Sequence, residues 1–249
     1  MTVAPTQLTD ITSLPSDALV RWGAQGLRPG VRAWRDGDAV VVACPDLSRR
    51  HRLLVHGTGG QLLGLVRHAL AVVGQDYRPL GDDKTVAEVV AEFAEIELLD
   101  NFWWMDTVDP TGVIGTARWL TEDATDEVRG LIDSEYPGSY AKPGGTGVRR
   151  WAGVRDAHGA LVAVAADAWS APEVGFLAGV ITAPAARGRG HAVAVCGLAI
   201  DTLVTETGRA ALMVDSWNDA ARTLYTKLGL ASRPIAAAAH RSFLDQPLL

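Results

Sequence analysis

The segment that decides the fold is a corner where an apolar run turns into an amphipathic one. It reads Ile181-Thr182-Ala183-Pro184-Ala185-Ala186-Arg187-Gly188-Arg189-Gly190-His191-Ala192. Glycines at positions 188 and 190 permit positive φ angles and let backbone N–H groups approach a ligand closely. A helix that begins near His191 would turn the positive end of its dipole toward the same point. The segment therefore predicts a strand, a tight turn and a helix N-terminus suited to a diphosphate, although glycine-rich corners also serve merely as turns.

A second motif follows the corner, after a helix-like segment and an apolar strand. It reads Asn218-Asp219-Ala220-Ala221-Arg222-Thr223-Leu224-Tyr225-Thr226-Lys227-Leu228-Gly229-Leu230. Together the two motifs resemble the GNAT superfamily of acyl-CoA-dependent N-acyltransferases. One hallmark of that family is Arg or Gln, two residues, Gly, one residue, then Gly or Ala, and here it is Arg187, Gly190 and Ala192. The other hallmark is matched by Asn218, Ala221, Leu224, Tyr225, Gly229 and Leu230.

The resemblance covers about residues 112–236 well and the first hundred residues only faintly. It implies a mixed α/β (α+β) fold, in which flanking helices cover a mostly antiparallel central sheet that contains a splayed parallel strand pair. Turn formers at 106–112 predict a boundary between a degenerate GNAT-like domain, residues 1–108, and a catalytic GNAT domain, residues 112–249. Because the first half lacks the Arg-x-x-Gly-x-Ala pattern, we expect only the second half to bind coenzyme A.

The resemblance also implies where the coenzyme binds. In the family, the strand before the corner splays from its neighbour, so Val180 and Thr182 would offer backbone groups to the pantetheine arm. The diphosphate would rest on backbone amides of Arg187, Gly188, Arg189, Gly190, His191 and Ala192. The motif residues Asn218, Ala221 and Tyr225 complete the expected coenzyme contacts. As an alternative, the two arginines are a solvated surface pair.

Tyr225 is the residue we expect to act as general acid. It lies seven residues after Asn218, so both side chains can project from one helix face. Amine attack on a thioester expels a thiolate, and a phenol can supply the proton that this leaving group takes. The alternative is a tyrosine that packs beside Leu224 and Leu228.

The sequence identifies no clear general base. Some family members carry Glu or His at the position that Phe176 occupies here, and a phenyl ring cannot accept a proton. Asp215, at the end of an apolar strand, is the first candidate, followed by Glu173 and Asp167. Each of these carboxylates could instead be structural or solvated.

The resemblance predicts an N-acetyltransferase that moves an acetyl group from acetyl-CoA to a primary amine of a small molecule, by direct attack in a ternary complex. Two alternatives stay open: acetylation of a protein N-terminus or lysine, and a regulatory protein that binds CoA without turnover. Trp151, Trp169 and Trp217 could line an acceptor pocket or belong to the core.

Composition and residue spacing argue against several classes of protein and site. The chain of 249 residues carries 29 acidic and 23 basic residues, a net charge of -6 that argues against a nucleic-acid partner. Two cysteines, Cys44 and Cys196, are too few for a disulfide framework and should be free thiols. No His or Cys spacing resembles a metal site. Without a signal-peptide pattern or an apolar run near the roughly 20 residues of a membrane span, the cytoplasm is the expected compartment and no membrane partner is expected.

Periodicity supplies the secondary structure. A hairpin turning at Asp36-Gly37 and a helix over 61–73 are expected in the first half, then a helix over 85–99. In the second half, Thr121 should cap a helix, and antiparallel strands should cover 150–155, 161–168 and 174–182. A helix from His191 should connect the last of these to a parallel strand over 210–214.

Overall fold

A computed structural model describes residues 5–244. Its strands are β1 (Thr6–Leu8), β2 (Arg32–Asp36), β3 (Ala39–Leu47), β4 (Arg50–His56), β5 (Arg78–Asp82), β6 (Ile96–Thr107), β7 (Arg118–Trp119), β8 (Val148–Arg155), β9 (Leu161–Ala168), β10 (Gly175–Thr182), β11 (Ala210–Asp215) and β12 (Ala231–His240). Its α-helices are α1 (Ala18–Ala24), α2 (Gly59–Val73), α3 (Asp83–Glu92), α4 (Thr125–Glu135), α5 (His191–Thr207) and α6 (Asp219–Lys227).

The chain forms two compact units that are interleaved in sequence. One contains the residues up to Trp104 together with Val214–Asn218 and the residues from Ser232 onward. The other contains Met105–Met213 and Asp219–Ala231. The division into domains 1–108 and 112–249 stays a prediction, since it concerns two GNAT-like halves and not which residues pack together.

The first unit is built on a sheet with the strand order β1-β2-β3-β4-β5-β12-β6. The hairpin predicted at Asp36-Gly37 is present, with Gly37 at φ 56° between β2 and β3. Strands β4 and β5 are parallel and are joined through α2, a strand-helix-strand crossover. Strand β12, the last strand among residues 5–244, pairs antiparallel with β5, with Ala236 opposite Gly81.

The core of the first unit lies under α2 and α3. Helix α2 buries a continuous stripe that helical periodicity predicts. Its members are Leu62, Leu65, Val66, Ala69 and Leu70. They pack with Val86 and Val89 of α3, with alternate residues of β3 and β4, and with Ala236 and Ala238 of β12.

The helix predicted over 85–99 is wrong in its second half. Helix α3 ends at Glu92, and Phe93 N–H donates to Val89 C=O at 3.0 Å to close the last turn. Ile96 then begins β6, on which Leu98 and Leu99 are exposed. Ile96 continues the helical spacing of Val86, Val89 and Phe93, but it does so by coincidence. The three residues between α3 and β6 form a turn, and this turn brings Ile96 back to the core.

The second unit has the strand order β11-β10-β9-β8-β7. Strands β7 to β10 are antiparallel neighbours and β10 is parallel to β11, as the sequence predicts. Only Gly175 and Phe176 of β10 have partners on β11, so β10 parts from its parallel neighbour after two residues. Helix α5 packs along β8, β9 and β10, and α4 contacts β9 and β10.

The helix cap predicted at Thr121 is wrong. The Thr121 hydroxyl donates to the Asp123 carboxylate, and it makes no bond to the helix backbone. A 3-10 turn over Glu122–Ala124 comes first, and α4 begins at Thr125. Within residues 5–244, no helix has the length and apolar character needed to cross a membrane.

Candidate functional site

The predicted strand, turn and helix are all present at the glycine-rich corner. Strand β10 ends at Thr182, a 3-10 turn covers Pro184–Ala186, and α5 begins at His191. Gly188 and Gly190 have φ angles of 75° and 82°, which explains why glycine occupies both positions. A Cβ atom added at either glycine would meet no heavy atom within 4 Å, so this side of the corner is open.

The N-terminus of α5 is uncapped. Its N-cap residue is Gly190, which has no side chain to cap the helix, and the first helical bond runs from Ala194 N–H to Gly190 C=O at 3.0 Å. A helix end of this kind presents several N–H groups and the positive end of the dipole to an anion. Arg187 Nε donates to Thr182 C=O at 3.2 Å, which ties the exposed loop back to the end of β10.

Strand β10 carries a bulge just before the corner. Ala178 lies opposite Ala166 of β9 and Ile181 lies opposite Val164, so Gly179 and Val180 form the irregularity between them. Gly179 has a φ angle of 59°, and a Cβ there would approach Trp151 Cη2 to 2.9 Å. The bulge and the early parting from β11 together leave the backbone around Val180 outside a regular ladder.

Tyr225 lies on α6 and is buried, with 5% of its surface exposed. Cys196 of α5 is also buried. Burial, with a smaller contribution from Cys196, holds the pKa of Tyr225 well above its ordinary value. Burial also raises the pKa of Cys196 to about 12. The phenol and the thiol are therefore both protonated at neutral pH.

Asp215 and Asn218 lie in the segment Val214–Asn218, which packs with the first unit. Asn218 N–H donates to Asp215 C=O at 2.9 Å, and Ser216 N–H donates to Asn101 C=O at 3.1 Å. Asp215 is half-buried, and its pKa is raised first by burial and then by the nearby carboxylate of Asp100. A carboxylate with a raised pKa accepts a proton more readily than an exposed one.

Comparisons with known proteins bear on the fold and on the segment that contains both motifs. Residues 153–237 match the family model described as FR47-like protein. A search of curated proteins found no match. Among solved structures, a GCN5-related N-acetyltransferase from Kribbella flavida superposes with a TM-score of 0.61 at 18% identity, over 92% of this chain and 96% of that one.

Two further solved structures of GNAT proteins also superpose on this chain. A GNAT-family protein from Novosphingobium aromaticivorans has a TM-score of 0.55 at 21% identity, over 83% of this chain and 90% of that one. A tandem GNAT protein from the clavulanic acid biosynthesis pathway has a TM-score of 0.51 at 17% identity, over 92% and 91%. The chain has a GNAT fold. The fold class and the resemblance predicted from the two motifs are thus confirmed, whereas the assignment of site residues stays a prediction.

The first unit repeats the strand-turn-helix corner of the GNAT fold, but its helix end is occupied. Gly59 N–H, at the start of α2, donates to the Glu88 carboxylate of α3 at 2.8 Å. Thr85 Oγ1 of α3 also donates to Gly57 C=O at 3.2 Å. Two side chains of α3 therefore bond to the backbone of this corner. A carboxylate already bound at a helix N-terminus competes with an incoming phosphate for the same N–H group.

Asp167, one of the candidate bases, is a structural residue of the GNAT sheet. It is fully buried and accepts from Arg150 Nε at 3.1 Å and from Ser170 Oγ at 2.5 Å. Arg149 lies 3.6 Å from the same carboxylate. Because the carboxylate is buried and already engaged by two arginines and a hydroxyl, Asp167 does not fit the role of a proton acceptor. Glu173 is exposed on the turn before β10.

The three tryptophans proposed for an acceptor pocket of the GNAT fold differ in their surroundings. Trp169 Nε1 donates to Thr146 C=O at 2.9 Å, which makes it part of the core structure. Trp217 is 72% exposed in the segment that packs with the first unit. Trp151 borders a cavity of about 480 Å³, lined also by Leu120, Thr125, Val128, Arg129 and Arg149.

Trp151 has one feature that the sequence could not reveal. Only 7% of the residue is exposed, and its Nε1 has no acceptor among residues 5–244. The far edge of the same ring contacts the β10 bulge at Gly179. Trp151 therefore separates the cavity from the bulge. Residues 5–244 contain no group of three or more His, Cys, Asp or Glu side chains arranged to hold a metal ion.

Proposed function

We propose that this protein transfers an acetyl group from acetyl-CoA to a primary amine of a small molecule, by direct attack in a ternary complex. The observation that carries the proposal is the corner at 187–192, where an uncapped helix end and two glycines of positive φ follow a strand that has parted from its neighbour. Backbone geometry of this kind suits a diphosphate and an extended amide-bearing arm.

Each binding residue then has a defined task. Backbone groups of Val180 and Thr182 hold the pantetheine arm beside the bulge, and the N–H groups from Arg187 to Ala192 hold the diphosphate. Asn218 and Ala221 contact the coenzyme from the start of α6. The thioester supplies an acyl carbon that an amine can attack, and the protein supplies orientation and proton transfer.

Tyr225 supplies the proton for the leaving sulfur. Its raised pKa keeps the phenol protonated, so it is a donor at every physiological pH. Asp215 accepts the proton from the attacking amine, aided by the pKa that burial and Asp100 raise. During the step the nitrogen-carbon bond forms and the carbon-sulfur bond breaks, while one proton moves to Asp215 and one leaves Tyr225.

The cavity beside α4 is the proposed pocket for the amine. Trp151 forms the wall between that cavity and the bulge at Gly179. A volume of about 480 Å³ suits a small molecule, since ligand pockets of that kind are commonly some 300 to 1,000 Å³. This size favours a small-molecule amine over a folded protein surface as the acceptor.

Calorimetry with CoA, followed by a screen of amine metabolites and peptides for thiol release from acetyl-CoA, tests the proposal. Binding of CoA and turnover with a small amine are the expected results. Turnover with peptides only would favour a protein acetyltransferase, and binding without any turnover would favour a regulatory CoA-binding protein. If CoA does not bind, the proposal is wrong at its first step.

A further inference from the structure

The cavity beside α4 is lined by more positive than negative side chains. Three arginines, Arg129, Arg149 and Arg150, contribute to its lining, together with one acidic residue, Glu122. A pocket for a simple alkylamine would favour the opposite charge, because a protonated amine is itself a cation. The lining therefore suits a ligand that carries negative charge in addition to its amine.

Two of the three arginines already have partners within the protein. Arg150 donates to the carboxylates of Asp167 and Glu206, and these contacts hold it in place. Arg129 Nη1 lies 2.6 Å from the Asp126 carboxylate on the same helix. Because that pair is exposed, it is weak, and Arg129 still contributes positive potential to the cavity.

Arg149 is the arginine of this cavity with the weakest partner. It occupies an irregularity of β8 between Val148 and Arg150, and half of its side chain is exposed. Its Nη1 lies 3.6 Å from Asp167 Oδ2, beyond hydrogen-bond distance. That carboxylate already accepts from Arg150 and Ser170. Among residues 5–244 no closer carboxylate engages Arg149, so its guanidinium is available to an incoming anion.

Trp151 gives an independent observation in the same cavity. The residue is 7% exposed, and its Nε1 is buried without an acceptor among residues 5–244. The Cζ3–Cη2 edge of the indole faces Gly179, and Nε1 belongs to the opposite edge, on the side of the cavity. A buried donor without an acceptor is unfavourable. A ligand oxygen bound here would supply the missing acceptor.

We propose that this cavity takes a primary amine that also carries an anionic oxyacid group, a carboxylate or a phosphate, whose oxygens bind Arg149 and Trp151 Nε1. The inference rests on the proposed transferase function, for which it names the class of acceptor. A guanidinium and an indole N–H are donors only, so together they select a group that offers oxygen acceptors. A charged acceptor forms the stronger hydrogen bonds with both.

The first experiment compares amines that differ in the anionic group. β-Alanine is compared with β-alaninamide, and phosphoethanolamine with ethanolamine, by thiol release from acetyl-CoA. In at least one pair, kcat/KM should be about tenfold or more higher for the anionic amine, the effect of one charge-assisted hydrogen bond. The pair that shows this preference identifies the anionic group. A neighbouring anion raises the pKa of an amine, so amine protonation disfavours the anionic member and does not explain the expected preference.

Substitutions of Arg149 connect the preference to the cavity. Arg149→Gln removes the charge, so kcat/KM for the preferred anionic amine should fall about tenfold through a higher KM, with no change for its uncharged counterpart. Arg149→Lys keeps the charge and should keep the preference. Arg67→Gln, at an exposed arginine of α2, is the matched control and should change neither value. Thermal melting of each variant identifies a folding defect.

A binding measurement on the full-length protein without CoA needs no turnover. The ¹H–¹⁵N spectrum contains the indole N–H signals of eight tryptophans, and the signal of Trp151 is the one missing in Trp151→Phe. β-Alanine or phosphoethanolamine should move this signal downfield, because the N–H gains an acceptor. β-Alaninamide and ethanolamine should leave it in place.

The inference is overturned if the uncharged amines are used as efficiently as the anionic ones, if Arg149→Gln and Arg67→Gln behave alike, or if neither anionic amine moves the Trp151 signal. Turnover of uncharged amines alone would overturn it and leave the proposed transferase function intact. A shifted Trp151 signal without turnover of any amine would instead contradict the transferase function and support the anion site.

Discussion

At the residue scale, the proposed acid differs from the other three tyrosines by its burial. Tyr136 and Tyr140 are exposed, whereas Tyr225 is buried. Tyr225→Phe should lower kcat by about 10² to 10⁴, because general acid catalysis contributes that much. KM for acetyl-CoA should change little, since the ring stays in place.

Stopped-flow detection of thiol release measures this loss. Tyr140→Phe, a change of the same kind at an exposed residue, is the matched control and should leave kcat unchanged. Equal rates for Tyr225→Phe and the parent protein across the pH range would exclude the phenol as the acid.

Replacing Asp215 with asparagine should raise the stability of the protein and lower its activity. Burial and the neighbouring Asp100 raise its pKa. The ionised carboxylate therefore lowers the free energy of unfolding at neutral pH. Asp215→Asn removes that penalty, so it should raise Tm at pH 7. The gain should vanish below about pH 4, where the carboxyl group is protonated in both the folded and the unfolded states. Activity should fall by about 10² or more if Asp215 is the base.

Melting curves at several pH values and initial rates at pH 7 check this prediction. Asp109→Asn, at another aspartate outside the proposed site, is the control and should leave the rate unchanged. An Asp215→Asn protein that keeps full activity would remove Asp215 from the mechanism, whatever its Tm.

The roles of individual residues are harder to predict from the sequence than the helices and strands. The sequence places Asp167 among possible bases, but it does not show that Arg150 and Ser170 already hold the carboxylate. Contacts between distant segments depend on packing, which periodicity does not encode.

At the element scale, the two strand-turn-helix corners differ by one carboxylate. Glu88 accepts from Gly59 N–H at the start of α2, whereas the N-cap residue of α5 is Gly190, which has no side chain. Ala192→Asp would place a carboxylate in the first turn of α5, where it stabilises the helix by about 0.3 to 1 kcal/mol through the dipole. We expect unchanged or higher stability together with a loss of CoA affinity of at least about tenfold, since the new charge competes with the diphosphate.

Calorimetry with CoA and chemical denaturation measure the two effects on the same sample. Ser134→Asp, on the exposed side of α4, adds the same charge away from the corner and should leave CoA affinity unchanged. If Ala192→Asp binds CoA as tightly as the parent protein, the diphosphate does not rest on this helix end.

The two corners could be predicted from local sequence features, namely glycine positions and helical periodicity. The same features fail to predict the end of α3 and strand β12. Gly188 and Gly190 identify the turn because few other residues adopt their φ angles, and the α2 stripe identifies a helix by its period. Periodicity does not reveal the end of α3, because Ile96 keeps the helical spacing although the helix ends at Glu92. The sequence does not reveal strand β12, because residues 235–239 are all buried and the strand therefore lacks an alternating pattern.

At the scale of the whole molecule, the last strand completes the sheet of the first unit. Strand β12 lies between β5 and β6, and Arg233 bonds to both Asp82 and Asp17. Residues 1–108 alone would therefore leave β5 and β6 without their common neighbour and would expose the core that Ala236 and Ala238 cover. We expect this fragment to lack a cooperative thermal transition and to aggregate, since unpaired strand edges associate.

Circular dichroism and light scattering of the fragment measure its folding, with the full-length protein as the reference. A synthetic peptide of residues 228–244, added in trans, should restore a cooperative transition because it returns β12 and Arg233 to the sheet. A peptide with Ile235→Asp is the matched control and should not, because the side chain at 235 is fully buried. A fragment 1–108 that melts cooperatively by itself would show that the first half folds as an independent domain and that β12 is dispensable to it.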